Sequence, residues 1–345
     1  MKHVSNSGAS FFRTILIVIL LLLGLVVGLG ILSFNQRVTV TEATRVYIPS
    51  NTDYPSLLDT LDSHHCIRSH TLFNAMAHLR GLPKHVKAGS YLITPNMRLV
   101  SLVQKLYTGN QDPIRITINK HRTLDGLCQF LGSKLQFDAD SLLSLLSDTS
   151  FCAQYDHTPQ TIIALFPQNT YEIYWTTTPS NLIERMHSEQ ERFWRERDSQ
   201  LPSLGLSRNQ VLTIASIVEE ETNCNEEKAD IASVYLNRYR IGMPLQADPT
   251  VKYAVGDFTI RRIKGDMLKT DSPYNTYLHA GLPPGPICIP SAASIDAVLK
   301  DKKTNYLYFC AKEDFSGRHN FASTPEEHIA NARKFHKALN DRNIH

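Results

Sequence analysis

Residues 207–253 read SRNQVLTIASIVEEETNCNEEKADIASVYLNRYRIGMPLQADPTVKY, and the predicted fold depends on this stretch. Ser207 is a favourable N-cap residue. Apolar residues then recur at helical spacing and predict a helix with one apolar face, formed by Val211, Ile214, Ala215 and Val218. A second helix is predicted from about Glu226 to Tyr239, with Asn225 as its cap and Gly242 as its terminator.

Three consecutive glutamates end the first predicted helix. At about 100° per residue, Glu221 lies between Ile214 and Ile217 on the apolar face. Glu219 lies at the edge of that face, and Glu220 lies on the opposite, solvated side. Burial and the negative end of the helix dipole both raise the pKa of a carboxyl, so Glu221 is the candidate proton donor. A solvated acidic helix end is the alternative interpretation.

Two loops after these helices carry polar and aromatic side chains suited to hydrogen bonding and ring stacking with a sugar. The candidate binding residues are Gln246, Asp248 and Thr250 in the first loop, Tyr274, Asn275 and Tyr277 in the second, and His319 after a predicted buried strand at 305–311. Asp248 is also a possible simple N-cap, and the second loop, 272–285, is also typical of a purely structural tyrosine-rich loop.

The chain before residue 207 predicts an α+β organisation in consecutive units. Apolar and polar residues alternate in the segments that read as strands, and helical spacing connects them. The expected strands are 46–49, 87–94 and 112–119, and the expected helices are 54–61, 70–79, 97–106 and 124–135. The predicted divisions are a module at 35–110, a mostly helical region at 111–205 and a final domain at 206–345.

The stretch 14–34 contains no charged residue. About 20 apolar residues span the hydrocarbon core of a bilayer, and a cleaved signal peptide has a shorter apolar region. We therefore expect an uncleaved, single-pass signal anchor, with residues 1–13 as a short cytoplasmic tail and the large remainder outside the membrane.

Composition excludes several classes of protein. Of 345 residues, 42% are hydrophobic and 20% are charged, which argues against wholesale disorder. The net charge of +3 is too small for a typical nucleic-acid-binding surface, so no nucleic-acid partner is expected. The six cysteines lack a zinc-ligand spacing, and the GxGxxG, P-loop, HExxH and GxSxG motifs are absent.

Several motifs in a common order give the chain a family resemblance. It resembles the endolytic murein transglycosylases, also called the YceG-like family, through ASIVEEET, ASVYLNRYRIGMPLQADPTVKY, SPYNTYLHAGLPPGPICIP, and YLYFCA with HNF, at 215–222, 232–253, 272–290 and 306–321. A weaker likeness covers 88–97 and 169–175. The resemblance implies one N-terminal transmembrane helix in the inner membrane, a small LysM-like module, and a mixed α/β catalytic domain on the periplasmic side.

The resemblance also implies an activity. Such an enzyme cleaves the MurNAc-β-1,4-GlcNAc bond inside nascent peptidoglycan strands, forms 1,6-anhydro-MurNAc ends and terminates glycan elongation, with cell-wall synthases as candidate partners. The catalytic glutamate of the family's V-E-K-E motif corresponds to Glu221. Glu219 is then placed with the substrate-binding residues, and the reaction requires no metal or cofactor.

Two features depart from the family pattern. Glu220 stands where the motif has Lys, which adds a negative charge beside Glu221, and FPQNTY at 166–171 lacks the acidic residue found in many relatives. Two alternatives remain open at this point. One is a hydrolytic muramidase in which Asp248 activates water, and the other is a non-catalytic glycan-binding scaffold of the cell wall that binds sugar through residues 45–108.

Overall fold

The structure, a computed structural model, describes residues 11–21, 23–24, 35–260 and 262–342. The chain forms two compact units. The first comprises the chain up to Ile114 together with Glu172–Thr176, and the second comprises Arg115–Tyr171 and the chain from Thr177 onwards. Helices and short strands are mixed in sequence, which confirms the predicted α+β class.

Only part of the predicted anchor at 14–34 can be compared with the structure. The described residues 11–21, 23 and 24 are helical, whereas residues 22 and 25–34 lie outside the described part of the chain. Among the residues that are described, no helix has the length and apolar character needed to cross a membrane.

The first unit is a two-stranded sheet packed with three helices. Strands β1 and β2 are antiparallel, with Val46 opposite Tyr91 in the register. Both of these side chains are fully buried in the unit's core, which explains the apolar alternation of the two segments. The bounds are β1 Thr44–Ile48, α1 Tyr54–Ser63, α2 His70–Arg80, β2 Gly89–Ile93 and α3 Leu99–Thr108.

The second unit is mainly helical, with two further two-stranded sheets that pair β3 with β4 and β5 with β6. The strands are β3 Ile114–Ile118, β4 Asn169–Ile173, β5 Tyr308–Ala311 and β6 His319–Ala322. The helices are α4 Leu124–Gly132, α5 Ala139–Ser147, α6 Thr149–Ala153, α7 Pro179–Arg195, α8 Leu201–Leu204, α9 Arg208–Glu221, α10 Lys228–Arg240, α11 Asp248–Val255, α12 Ala292–Leu299 and α13 Pro325–Asp341.

Helix α9 is the central element of this unit. Its predicted N-cap is confirmed: the Ser207 hydroxyl accepts from the Gln210 amide at 3.3 Å, and the Gln210 side chain accepts from the Ser207 amide at 2.8 Å. Every residue from Val211 to Val218 is buried, including Thr213 and Ser216. The predicted apolar face is therefore confirmed, whereas the predicted solvated side opposite it is wrong, because neighbouring segments enclose this part of the helix on all sides.

Two further sequence predictions need correction. Helix α10 begins at Lys228 with Glu227 as its N-cap, later than predicted, and Asn225 does not cap it. Strand β5 starts at Tyr308, and its side chains are half-buried where 305–311 was predicted as buried. The strand lies in a sheet of only two strands, with Phe309 opposite Phe321, which covers it less completely than a larger sheet would.

The segment that leads to α12 passes closely beside the chain around Gln160. A Cβ atom added to Gly285 would lie 2.2 Å from the Gln160 carbonyl oxygen, a backbone atom that cannot move aside by itself. Two residues later, the Ile287 amide donates to the Ser216 hydroxyl at 3.0 Å. Gly285 therefore allows the close approach through which this segment packs on α9.

We expect Gly285→Ala to lower the free energy of unfolding by at least about 1–3 kcal/mol, because the methyl group overpacks a backbone contact. Thermal melts of the purified protein measure the effect. Gly265→Ala is the matched control, since nothing lies within 4 Å of its added Cβ. Equal melting temperatures for the two variants would contradict the close-approach argument.

Candidate active site

The carboxyl of Glu221 lies at the C-terminal end of α9 and faces α10. The Tyr235 hydroxyl donates to its Oε1 atom at 2.5 Å, and Tyr235 itself is buried. The Phe309 ring of β5 packs edge-on against the Tyr235 ring, with centroids 6.0 Å apart. Tyr235 is thus held by packing, and it fixes one oxygen of the carboxyl.

Burial is the main influence on this carboxyl, and it raises the pKa of Glu221 to about 7. The hydrogen bond from Tyr235 lowers the pKa, the negative charge of Asp248 raises it, and the positive charge of Lys252 lowers it. The predicted rise is confirmed. A carboxyl with this pKa is still partly protonated at neutral pH and can donate a proton.

Asp248 is exposed and is the first residue of α11, with Ala247 at the N-cap position. Asp248 is therefore not the N-cap. Its Oδ1 atom accepts from the Tyr277 hydroxyl at 2.6 Å, a contact between the two predicted sugar-binding loops. Burial is the main cause that raises the pKa of Tyr277, and the Asp248 hydrogen bond and charge add to it. Asp248, Tyr277 and Glu221 thus lie within electrostatic range of one another.

Thr250 and Asn275 hold these loops in place from inside the fold. Both are fully buried. The Thr250 hydroxyl lies 2.8 Å from the Thr276 hydroxyl, and the Asn275 amide donates to the carbonyls of Leu268 and Thr270 at 3.0 and 2.9 Å. Their polar side-chain atoms make hydrogen bonds within the protein, so these two residues stabilise the loops and are not free to bind a sugar.

Gln246 and Tyr274 are two further members of the predicted set that a ligand can reach. The Gln246 side chain is exposed, and its backbone has a positive φ of 48°. The Tyr274 ring is half-buried and lies 4.6 Å from the Tyr253 ring, at an interplanar angle of 45°. Together they present an amide and an aromatic pair beside the loops that carry Asp248 and Tyr277.

Glu219 points away from Glu221 and joins three helices. Its Oε2 atom accepts from the Lys228 ammonium at 2.9 Å, and from the Ser291 and Ser294 hydroxyls at 2.5 Å each. Burial alone would raise the pKa of Glu219, but these hydrogen bonds outweigh it and lower the pKa. Glu219 is therefore held as an anion at the junction of α9, α10 and α12.

Glu220 is also paired, contrary to the solvated position predicted for it. Its oxygens accept two hydrogen bonds from the Arg122 guanidinium, from Nε at 2.9 Å and from Nη2 at 3.0 Å. The Lys120 ammonium lies 3.3 Å from Oε1, and only 13% of the Glu220 side chain is exposed. The helical wheel misplaced Glu220 because Arg122 and Lys120 reach it from a segment about a hundred residues earlier.

His319 lies apart from these groups. Its Nδ1 atom is 3.1 Å from Oε2 of Glu227, and its backbone amide donates to Oε1 of the same carboxylate at 3.1 Å. The Phe309 ring separates it from Tyr235. His319 thus ties β6 to the start of α10.

The structure therefore brings Glu221, Asp248 and Tyr277 together and directs Glu219 and His319 to other partners. Tyr235 was missed by the sequence reasoning, although it is on the helix that follows Glu221, 14 residues further along the chain. The sequence carries no local signal for this contact, because it depends on how α9 and α10 pack in the fold. In the part of the chain that the structure describes, no group of three or more His, Cys, Asp or Glu side chains could hold a metal ion.

The chain is similar to known proteins in sequence and in overall structure. The chain is 30% identical over 313 residues to the endolytic murein transglycosylase of Bacillus subtilis, with 86% of each protein covered. It is 29% identical to the endolytic murein transglycosylase of Streptococcus pneumoniae, covering 83% of this chain and 57% of that protein. A YceG-like protein of Listeria monocytogenes has a similar structure, with a TM-score of 0.57, 28% identity, and coverage of 84% of this chain and 99% of that one. Residues 46–334 match the YceG-like family, and the chain therefore belongs to that family.

Proposed function

We propose that this protein is a peptidoglycan lytic transglycosylase that cleaves the MurNAc-β-1,4-GlcNAc bond within glycan strands. The observation that carries the proposal is the Glu221 carboxyl, which burial brings to a pKa of about 7 and Tyr235 holds in place. The names of the relatives from Bacillus subtilis and Streptococcus pneumoniae give the same substrate and reaction class.

In this mechanism one carboxyl acts twice. Protonated Glu221 donates its proton to the glycosidic oxygen, and the C1–O bond breaks to release GlcNAc with a free 4-hydroxyl. The Glu221 carboxylate then removes the proton of the MurNAc C6 hydroxyl, whose oxygen bonds to C1 and forms the 1,6-anhydro ring. No water is consumed, and Glu221 ends the cycle protonated. The Tyr235 hydroxyl stabilises the intermediate carboxylate.

The residues that contact the substrate are assigned from the solvent exposure of their side chains. Gln246 and Asp248 are exposed, and the Tyr274 and Tyr277 rings are half-buried, so these four can reach a sugar. Asp248 carries a negative charge close to Glu221 and suits stabilisation of an oxocarbenium-like state. Thr250 and Asn275 support the loops, and Glu219 and His319 act through the helices that they connect.

The finer features of the proposal concern the cellular context. Residues 14–34 are a single-pass anchor in the inner membrane, with the catalytic domain at 206–345 on the periplasmic side. Residues 35–110 form a LysM-like module that contacts glycan, and 111–205 form the region between the two. An enzyme anchored there meets strands as synthases extend them and terminates their elongation.

Replacement of the proposed acid tests the reaction. Glu221→Gln keeps the shape and the contact with Tyr235 but cannot donate a proton, so we expect anhydro-product formation to fall by at least about a thousandfold. Purified full-length protein is incubated with peptidoglycan in ¹⁸O-labelled water, and the products are analysed by mass spectrometry. The exposed Glu184→Gln on α7 is the control and keeps full activity.

The products separate the alternatives. Anhydro ends without ¹⁸O support the transglycosylase, and reducing ends that carry ¹⁸O would identify a muramidase in which Asp248 activates water. Binding of glycan without any shortening would indicate a scaffold. Anhydro release that survives in Glu221→Gln would overturn the assignment of Glu221.

The same substitution also has a predicted effect on stability. The pKa of Glu221 is about 7 in the folded protein against an ordinary value of 4.5, so the folded state holds the proton more tightly. The contribution of Glu221 to stability therefore falls as pH rises from about 4.5 to 7, and a neutral Gln avoids this loss. We expect Glu221→Gln to be more stable than wild type by about 3 kcal/mol at pH 8 and equal to it near pH 4. Thermal melts at both pH values measure this, and a pH-independent difference would contradict it.

The anchor is tested by fractionation. We expect the full chain to remain in the membrane pellet after alkaline carbonate washing, because a transmembrane helix is inserted essentially irreversibly. Deletion of residues 14–34 releases the protein into the soluble fraction. Release of the full chain by the same wash would exclude a spanning anchor.

A further inference from the structure

The ion pair between Arg122 and Glu220 lies directly beside the proposed acid in sequence and joins two distant parts of the second unit. The guanidinium makes two hydrogen bonds to the carboxylate, at 2.9 and 3.0 Å, with the fork geometry that gives Arg–carboxylate pairs their strength. Lys120 adds a second cation 3.3 Å away. Glu220 is followed immediately by Glu221, so whatever holds the Glu220 carboxylate also holds the last turn of α9.

The segment that carries Arg122 is itself fixed on several sides. The backbone carbonyl of His121 accepts from the Ile289 amide at 2.9 Å, and the Ile289 carbonyl accepts from the Gln168 side chain at 2.6 Å. The next residue, Thr123, caps α4 through the Gly126 amide at 3.1 Å. Arg122 thus projects from a segment that cannot move independently of its surroundings.

The far side of the guanidinium is covered as well. It lies over the Phe258 ring, 5.1 Å from the centroid, in a cation–π arrangement. Arg122, Glu220 and Phe258 line a small cavity of about 40 Å³ together with Pro249, Lys252 and Ile287. Lys252 is the α11 residue whose positive charge also acts on Glu221. The cavity therefore adjoins the charges that surround the acid.

We propose that Arg122, assisted by Lys120, is a positioning residue that pairs with Glu220 and thereby modulates the protonation of Glu221. The proposal rests on the proposed function, in which Glu221 must first donate a proton and then remain ionised until it accepts the proton of the C6 hydroxyl. The Glu220 charge raises the pKa of Glu221 even in the paired state. A bare Glu220 carboxylate would oppose the ionisation of its neighbour more strongly, because no guanidinium would offset its charge. The ion pair of Arg122 with Glu220 would thus change the proton affinity of Glu221 without contacting the substrate.

The other charged and titratable groups that face Glu221 come from its surrounding elements. On α10 they are Tyr235 and Arg238, on α11 they are Asp248 and Lys252, and in the second loop it is Tyr277. None of these is changed by substitutions at Arg122 or Glu220. A change in the pH profile of either variant is therefore caused by the loss of the Arg122–Glu220 ion pair, because the other groups around Glu221 stay the same.

The experiment follows the pH dependence of kcat for anhydro-product release by the full-length protein. Loss of the Glu221 proton gives the alkaline limb of this profile. Arg122→Gln leaves Lys120 as the one cation paired with Glu220 among the described residues, so more of the Glu220 charge acts on Glu221. We therefore expect the alkaline limb to move to higher pH by about 0.5 unit. Glu220→Gln removes the negative charge and moves the limb to lower pH. The double variant returns close to the wild-type position, because both charges are gone.

Two further variants guard against loss of folding. Arg122→Lys keeps the positive charge but loses the pair of hydrogen bonds to Glu220. We therefore expect its alkaline limb to lie close to that of the wild type. Arg185→Gln removes an equal charge from the Arg185–Glu189 pair on α7 and leaves the limb unchanged. Melting temperatures are recorded for every variant.

The outcomes are distinct. If Arg122→Gln and Glu220→Gln reduce kcat or stability while the alkaline limb stays at the wild-type pH, the pair is only a structural brace and the proposal is overturned. Limbs that move in the same direction would also overturn it. Absence of anhydro products from wild-type protein would instead refute the proposed function, which the wild-type reaction reveals before any variant is compared.

Discussion

The proposed chemistry of the site depends on the removal of one carboxyl group, that of Glu221, from water. A carboxylate removed from water loses hydration that only hydrogen bonds or opposite charge can replace, so it tends to take up a proton. The carboxyl is at the end of α9, where it meets Tyr235 of α10 and the charged side chains Asp248 and Lys252 of α11. The Tyr235 hydrogen bond then limits the effect, leaving a pKa of about 7 and not a permanently neutral acid.

Three adjacent glutamates at the negative end of a helix dipole are an unfavourable arrangement. The fold compensates each in a different way. Lys228 with two serines holds Glu219 as an anion, Arg122 with Lys120 pairs with Glu220, and the neutral donor Tyr235 is left for Glu221. The only one of the three without a cation within ion-pair distance among the described residues is therefore the one suited to carry a proton.

Local signals predicted much of this arrangement. The Ser207 cap and the helical spacing of α9 follow from residues that are close in sequence. The direction of the pKa shift of Glu221 was predicted from its place on the helix, but its causes include contacts with α10 and α11. Contacts between distant segments could not be predicted in this way. A helical wheel assigns one side to solvent, yet Arg122 approaches Glu220 from 98 residues earlier and covers that side. Sequence spacing likewise contains no information on which tyrosine of α10 meets Glu221.

The candidate binding residues form two groups. In one group the polar side-chain atoms already make hydrogen bonds within the protein, and in the other they are accessible to a ligand. Thr250 and Asn275 are fully buried and bond to neighbouring loop atoms, so a sugar that bound them would have to break those bonds. Gln246 and Asp248 are exposed. The Tyr277 hydroxyl donates to Asp248 and leaves the other carboxylate oxygen available to a ligand. Recognition of a glycan therefore falls to a thin outer layer of side chains. The buried residues beneath, Thr250 and Asn275, hold these exposed side chains in a fixed position relative to Glu221.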